Sequence, residues 1–179
     1  MHLVLIGLMG VGKTTVGVRV AARLGLAFVD SDLHIEATTG RTVKEILAEG
    51  GVDALRALEA AALFDALDAS DPSVIGCAAG VVLDPVHIAR IDAARAADVV
   101  RVVWLTGSPA VLAPRTLTRG HRPWLDDDPE ATLTRMLDER RPLYEQIADL
   151  VVDVTPDGRP GDPEVTAETI ATWFAGAVA

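Results

Sequence analysis

Residues 7–15 read GLMGVGKTT, and Gly7, Gly12, Lys13 and Thr14 fall on the spacing G-x-x-x-x-G-K-[ST]. Each residue type has a physical reason to stand where it does. Glycines let successive backbone N–H groups turn inward onto phosphate oxygens. The lysine carries a mobile positive charge toward β- and γ-phosphates, and the threonine hydroxyl can ligate Mg²⁺. A helix starting just after the loop adds the positive end of its dipole. Gly10, Val11, Gly12, Lys13, Thr14 and Thr15 are therefore expected to hold a nucleotide triphosphate, with Mg²⁺ on Thr14. The motif does not specify what receives the terminal phosphate.

Further groups could supply that half of the chemistry. Asp30 and Asp32 close a short apolar run, where open α/β sheets place their ligands. One carboxylate beside Thr14 can help hold Mg²⁺ through water, and the other can accept a proton from an attacking hydroxyl. Either could instead cap the next helix; the expectation is one aspartate per role, with Asp30 toward the metal and Asp32 toward the hydroxyl. Arg56 and Glu59 stand three apart and share a helix face, as a surface ion pair or as part of a site. Arg140 sits in DERRPLY, where the Pro142 ring is expected to disturb a helix end. Arg119 and Arg122 lie in a charged segment over 116–128 that contains Gly120 and Pro123. Its lack of periodicity predicts a lid, from which an arginine can reach phosphates on closure.

The elements that must position these residues alternate in type. Short apolar runs predict strands at 2–7, 27–29, 73–77, 99–105 and 150–154. Helices are predicted over 14–24 (stopped by Gly25), from the capping box Thr42–Glu45, and over 52–68. Asp84-Pro85 and Ser108-Pro109 each read as a cap followed by proline, with Pro114 kinking or ending the second helix. A helix over 129–148 and a C-terminal one complete the series. Strands alternating with helices imply parallel β–α–β units and a covered sheet, an α/β three-layer αβα sandwich in one domain over 1–179.

Composition narrows the partners. The formal net charge is −10, which disfavours nucleic acid, because that binding runs on phosphate neutralisation by basic side chains. Of sixteen basic residues only Lys13 and Lys44 are lysines, which sets the glycine-loop lysine apart. The apolar runs are too short to cross a bilayer, and no leader pattern opens the chain. The one cysteine, Cys77, rules out an internal disulfide, and a reducing cytoplasm and a monomer are the expectations.

With these residues in view, the chain resembles the shikimate kinases over nearly its whole length. The resemblance is carried by GLMGVGKTTVG, FVDSDLHIEATTGRTVKEI, LRALE, RGHRPWL and RRPLYEQIA, in that order. It implies transfer of the γ-phosphoryl group of ATP to the 3-hydroxyl of shikimate, with Mg²⁺. It also implies that Arg56 and Arg140 grip the acceptor's carboxylate and that Asp32 meets its hydroxyls. The segment 33–62 would form the acceptor-binding helices. Arg122 would reach from the lid toward the transferred phosphate, and Arg115 would flank the adenine. The bottom-up reading agrees in kind, since bidentate arginines suit a planar carboxylate.

Three features depart from the family pattern. Its three glycines after the central strand are Ala78-Ala79-Gly80 here, its Gly-Glu is Gly51-Val52 with Leu55 for an aromatic, and Trp124 replaces a lid leucine. A methyl at Ala79 would enter the space facing the acceptor, beside Gly80, or forbid a positive φ if one is needed. Two other readings stay open. One is a related kinase for another small hydroxylated carboxylate or cyclitol. The other is a nucleotide-binding protein without catalysis, against which stands the joint survival of Lys13, Thr14, Asp30 and Asp32.

Overall fold

His2–Ile6 is apolar at nearly every position and buried at all of them, as a strand covered on both faces must be. This strand, β1, is the middle of the fold. The computed structural model describes residues 1–116 and 128–178. In it, β1 pairs in parallel with β3 (Ser73–Gly76) on one side and with β4 (Val100–Thr106) on the other. With β2 (Ala27–Asp30) beyond β3 and β5 (Leu150–Asp153) beyond β4, the sheet order is β2-β3-β1-β4-β5.

The order dictates where the helices go. The chain leaves β1 toward β2 and leaves β3 toward β4, in opposite directions across the sheet. Right-handed crossovers in opposite directions place their helices on opposite faces. Accordingly α1 (Lys13–Leu24) packs on β2, β3 and the last helix, α7 (Pro163–Val178). Helices α4 (Pro85–Ala96) and α6 (Pro129–Ile147) pack on β4 and on each other, and α5 (Pro109–Thr116) packs on α6. The result is the expected three-layer αβα sandwich around a parallel sheet.

Between β2 and β3 come α2 (Ser31–Thr39) and α3 (Val43–Asp68). They enclose a second, smaller apolar cluster of Ile35, Ile46, Leu55 and Ala62, apart from the main core under the sheet. The 33–62 segment thus has packing of its own.

Local signals set most boundaries. Thr42 and Glu45 form the reciprocal capping box, with Glu45 N–H donating to Thr42 Oγ1 at 3.2 Å and Thr42 N–H to Glu45 Oε2 at 2.8 Å. Asp84 accepts from the Val86 N–H, with Pro85 at the first helical position. Elsewhere the structure differs from the sequence reading. The helices expected from Thr42 and from Val52 follow one another directly as α3, divided only at Gly51, whose φ of 70° and ψ of −171° break the helical run. Pro142 does not end α6, which continues to Ile147. The strand expected to reach Cys77 stops at Gly76. Of the segment expected to form a lid, Thr116 ends α5 and Asp128 caps α6 through the Ala131 N–H. Arg119, Gly120, Arg122, Pro123 and Trp124 lie outside the described residues. Among the described residues, no helix is long and apolar enough to cross a membrane.

The seat of α1 on the sheet depends on a missing side chain. A Cβ at Gly17 would overlap the Phe28 ring of β2. Gly17→Ala should therefore lower stability by about 1–3 kcal/mol despite alanine's better helix propensity. Urea denaturation measures this, and an unchanged midpoint would show that Phe28 does not set the α1–β2 spacing.

Candidate active site

The β1–α1 loop forms the first wall of the site. Gly7, Gly10 and Gly12 hold φ of 135°, 82° and 90°, which side chains rarely adopt. At Gly7 a side chain would also run into the Leu105 carbonyl. Gly12 caps α1 without any side-chain bond to the first N–H groups, so the helix presents a positive end to a ligand. Lys13 folds over the loop, its Nζ donating to the carbonyls of Gly7 at 2.8 Å and Leu8 at 3.0 Å.

The second wall comes from the end of β2. Thr14 Oγ1 donates to Asp30 Oδ2 at 2.7 Å. The other Asp30 oxygen accepts the Asp32 N–H at 3.0 Å and the Leu33 N–H at 3.4 Å, capping α2. One carboxylate, that of Asp30, thus does both the capping and the Thr14 contact. Asp32 stands in the first turn of α2 and lines the cleft between the walls.

That cleft has a volume of about 650 Å³. Gly10, Val11, Gly12, Lys13, Thr14 and Thr15 line it. So do Asp30, Asp32, Ala79 and Arg115, the last donating to the Gly10 carbonyl at 3.5 Å. Gly80 follows the lining residues and opens a short 3-10 turn, Val81–Leu83. Neither Ala78 nor Ala79 has a positive φ, since Asp98 and Asp157 are the non-glycine residues that do among those described. The alanines strain no backbone, and what they add is two methyls lining the cleft.

Behind this loop the Ala79 carbonyl accepts two hydrogen bonds, from Arg140 Nη1 at 3.0 Å and from Tyr144 Oη at 2.8 Å. Tyr144 is fully buried and stacks on Trp104 with ring centroids 5.4 Å apart. Burial pushes its phenol up to about 12, so it is a donor throughout the neutral range. Arg140 is 8 % exposed, and its Nε is buried without a partner among the described residues. A buried guanidinium N–H of this kind leaves a hydrogen bond to be made. Burial likewise pushes the Cys77 thiol up to about 12, which keeps it protonated and unreactive.

The structure does not bring every expected residue to the cleft. Arg56 is exposed, lies outside the lining, and forms no ion pair with Glu59 or another described residue. Arg122 falls outside the described residues. Of two further residues at the site, only Tyr144 is absent from the sequence reading, which has Glu59 with Arg56 as an ion pair or as part of a site. Glu59 lines the cleft, and Tyr144 holds its floor. The spacing Arg56–Glu59 and Arg140–Tyr144, one helical turn each, was the signal available for both.

A glycine loop between the central strand and its helix, with a threonine tied to a carboxylate on a second strand end, defines a phosphate-binding-loop kinase. The family model for shikimate kinase matches residues 9–172. A shikimate kinase of Thermobifida fusca is 40 % identical over 168 residues, covering 94 % of this chain and 91 % of that protein. One of Paramagnetospirillum magneticum is 40 % identical over 156 residues, covering 87 % and 76 %. Among solved structures, shikimate kinase from Acinetobacter baumannii in complex with shikimate superposes with a TM-score of 0.85 at 27 % identity, covering 98 % of this chain and 93 % of that one. The chain belongs to the shikimate kinase family.

Tyr144→Phe keeps the stack on Trp104 and removes one of the two donors to the Ala79 carbonyl. The variant should lose about 1 kcal/mol of stability, because Arg140 still satisfies that oxygen. Arg140→Met, which strips a buried charge along with its bond, should cost more. Thermal melts that rank the two variants the other way would show that Tyr144, not Arg140, holds the loop.

Proposed function

We propose that the protein transfers the γ-phosphoryl group of ATP to the 3-hydroxyl of shikimate, as a cytoplasmic monomer working with Mg²⁺. The observation that carries this is the convergence of Lys13, Thr14, Asp30 and Asp32 on one cleft, in a chain so similar to shikimate kinases. A kinase needs a phosphate cradle and an acceptor-side carboxylate within one space, and this cleft has both.

In this reading the backbone N–H groups of Gly10 to Thr15 hold the phosphates, and Arg115 flanks the adenine. Lys13 leaves the Gly7 and Leu8 carbonyls for the β- and γ-phosphates, where it stabilises the charge that develops during transfer. The acceptor hydroxyl oxygen attacks the γ-phosphorus as the bond to the ADP oxygen breaks, and its proton passes to the Asp32 carboxylate. Arg140 and, from the edge of the site, Arg56 hold the acceptor's carboxylate. Ala79 and Gly80 lie against its ring, and Arg122 closes over the phosphate from the 116–128 segment.

The residues fit Mg²⁺. Thr14 and Asp30 offer hard oxygen donors 2.7 Å apart beside the loop, and among the described residues no cluster of three or more His, Cys, Asp or Glu could cage a metal. An ion that keeps most of its water and leans on nucleotide phosphates is held in this way. When bound, it would neutralise charge on the β- and γ-phosphates.

The direct test is a coupled assay of purified protein with shikimate, quinate, aminoshikimate, gluconate and cyclitols. Shikimate should give the highest kcat/KM, and a higher value for another acceptor would replace it as the substrate. Lys13→Ala should lower kcat by at least about a hundredfold with the fold intact. Arg56→Ala should raise KM for the acceptor and leave KM for ATP almost unchanged.

The two aspartates give a separate test. Asp32→Asn should lose most of the rate at saturating Mg²⁺. Asp30→Asn should chiefly raise the Mg²⁺ concentration needed and weaken the cap of α2. Identical defects in the two variants would show that the roles are wrongly assigned.

A further inference from the structure

One cation in the cleft has no task in the reaction described above. The chain has only two lysines, Lys13 and Lys44, and both line the same cleft. Lys44 stands in the first turn of α3, two residues after its cap, Thr42. A positive charge there opposes the helix dipole, so helix stability gives no reason for it. The carboxylates nearest in sequence are engaged. Glu45 Oε2 accepts from the N–H and the hydroxyl of Thr42, both at 2.8 Å. Glu36 Oε1 accepts from the Val43 N–H at 3.3 Å, and Glu49 pairs with Arg41 at 2.7 Å. Lys44 itself has no hydrogen bond or ion pair to any described residue.

The surroundings of Lys44 indicate what it meets. It belongs to the α2–α3 side of the cleft, with Asp32, Glu36, Leu47 and Glu59, and not to the glycine loop. Three of those neighbours are acidic, so a carboxylated ligand gains from a positive side chain on the same wall. Lys44 is the basic side chain that α2 and α3 contribute to the lining. Arg56 is exposed and outside it, and Arg140 spends one Nη on the Ala79 carbonyl. A lysine on a flexible four-carbon stem can follow a ligand into such a space.

We propose that Lys44 is a specificity-determining residue of the acceptor subsite, whose ammonium neutralises the carboxylate of the bound acceptor. The inference rests on the reading that the acceptor is a small hydroxylated carboxylate. It explains how an acidic wall admits an anion, and it gives the outlying Arg56 a partner in that work.

Lys44→Met keeps most of the stem and removes the charge. With shikimate, the variant should show KM raised by about fivefold or more, while kcat and KM for ATP stay within about twofold. The difference should shrink at high ionic strength as the parent's advantage is screened. Lys44→Arg should keep most of the affinity. With the primary amide of shikimate, parent and Lys44→Met should have equal KM, because the charge that Lys44 meets is gone. A parental KM of Lys44→Met for shikimate would overturn the assignment. So would an equal loss toward the amide, which would move the contact to the transferred phosphate. A lowered Tm of Lys44→Met would also overturn it by making the residue structural. If the parent turns over no shikimate, the functional reading fails by itself. Calorimetric titration of parent and variant with the carboxylate that is turned over then decides the role of Lys44, with equal affinities overturning it.

Discussion

The hydrogen bond from Thr14 to Asp30 is the contact on which the site depends. Thr14 belongs to the first turn after β1, and Asp30 ends β2, yet these strands are not neighbours, because β3 runs between them. Two strand spacings, about 9–10 Å, separate their axes. The bond can form only if the end of β3 stays low and the chain that follows it stays small. Gly76 pairs with both Leu5 and Asp30, and the residues after it are Cys77, Ala78, Ala79 and Gly80. That run of small side chains leaves the space above β3 open, and the cleft occupies it. Asp30 then transmits the position of the phosphate loop to the acceptor side, because its second oxygen fixes the start of α2.

Charge is distributed to match. The chain is strongly acidic as a whole, so an anionic nucleotide approaches against the mean field and is admitted only where positive groups are concentrated. The cleft does this with Lys13, Arg115 and the uncapped end of α1. The resting position of Lys13 on the Gly7 and Leu8 carbonyls keeps its ammonium hydrogen-bonded before any phosphate arrives. Replacing those two bonds costs little, since phosphate oxygens offer stronger, charge-assisted ones.

What the sequence revealed follows the range of the interaction concerned. Caps at Thr42 and Asp84, the stop at Gly25 and the glycine loop are settled within a few residues, and they are where they were expected. Interactions between distant segments were not legible in the same way. Nothing near Pro142 announces that α6 will run past it, because packing of Leu137, Tyr144 and Ile147 into the core outweighs one lost backbone bond. The direct succession of two helices at Gly51 needs a conformation that only the folded α2–α3 cluster selects. Asp30 accepts from the Thr14 hydroxyl. That it would also be the cap could be posed from sequence but not decided, since the answer depends on where β2 ends. Tyr144 remained hidden for a related reason. Its partner is a backbone carbonyl 65 positions away, and no side-chain pattern encodes a carbonyl.

That carbonyl also bears on the departure from the family's three glycines. The task of residue 79 in this structure is to present its oxygen to Arg140 and Tyr144, and an oxygen is placed by backbone angles alone. Because neither Ala78 nor Ala79 needs a positive φ, alanine satisfies this as well as glycine does. The substitution therefore leaves the anchoring of Arg140 untouched and changes only the volume available in front of it. An acceptor ring pressed against two added methyls would lose on the order of 1–3 kcal/mol if nothing moved. Leu55, which stands where the family has an aromatic, lines the same cleft. The two departures, which are far apart along the chain, thus border one cleft.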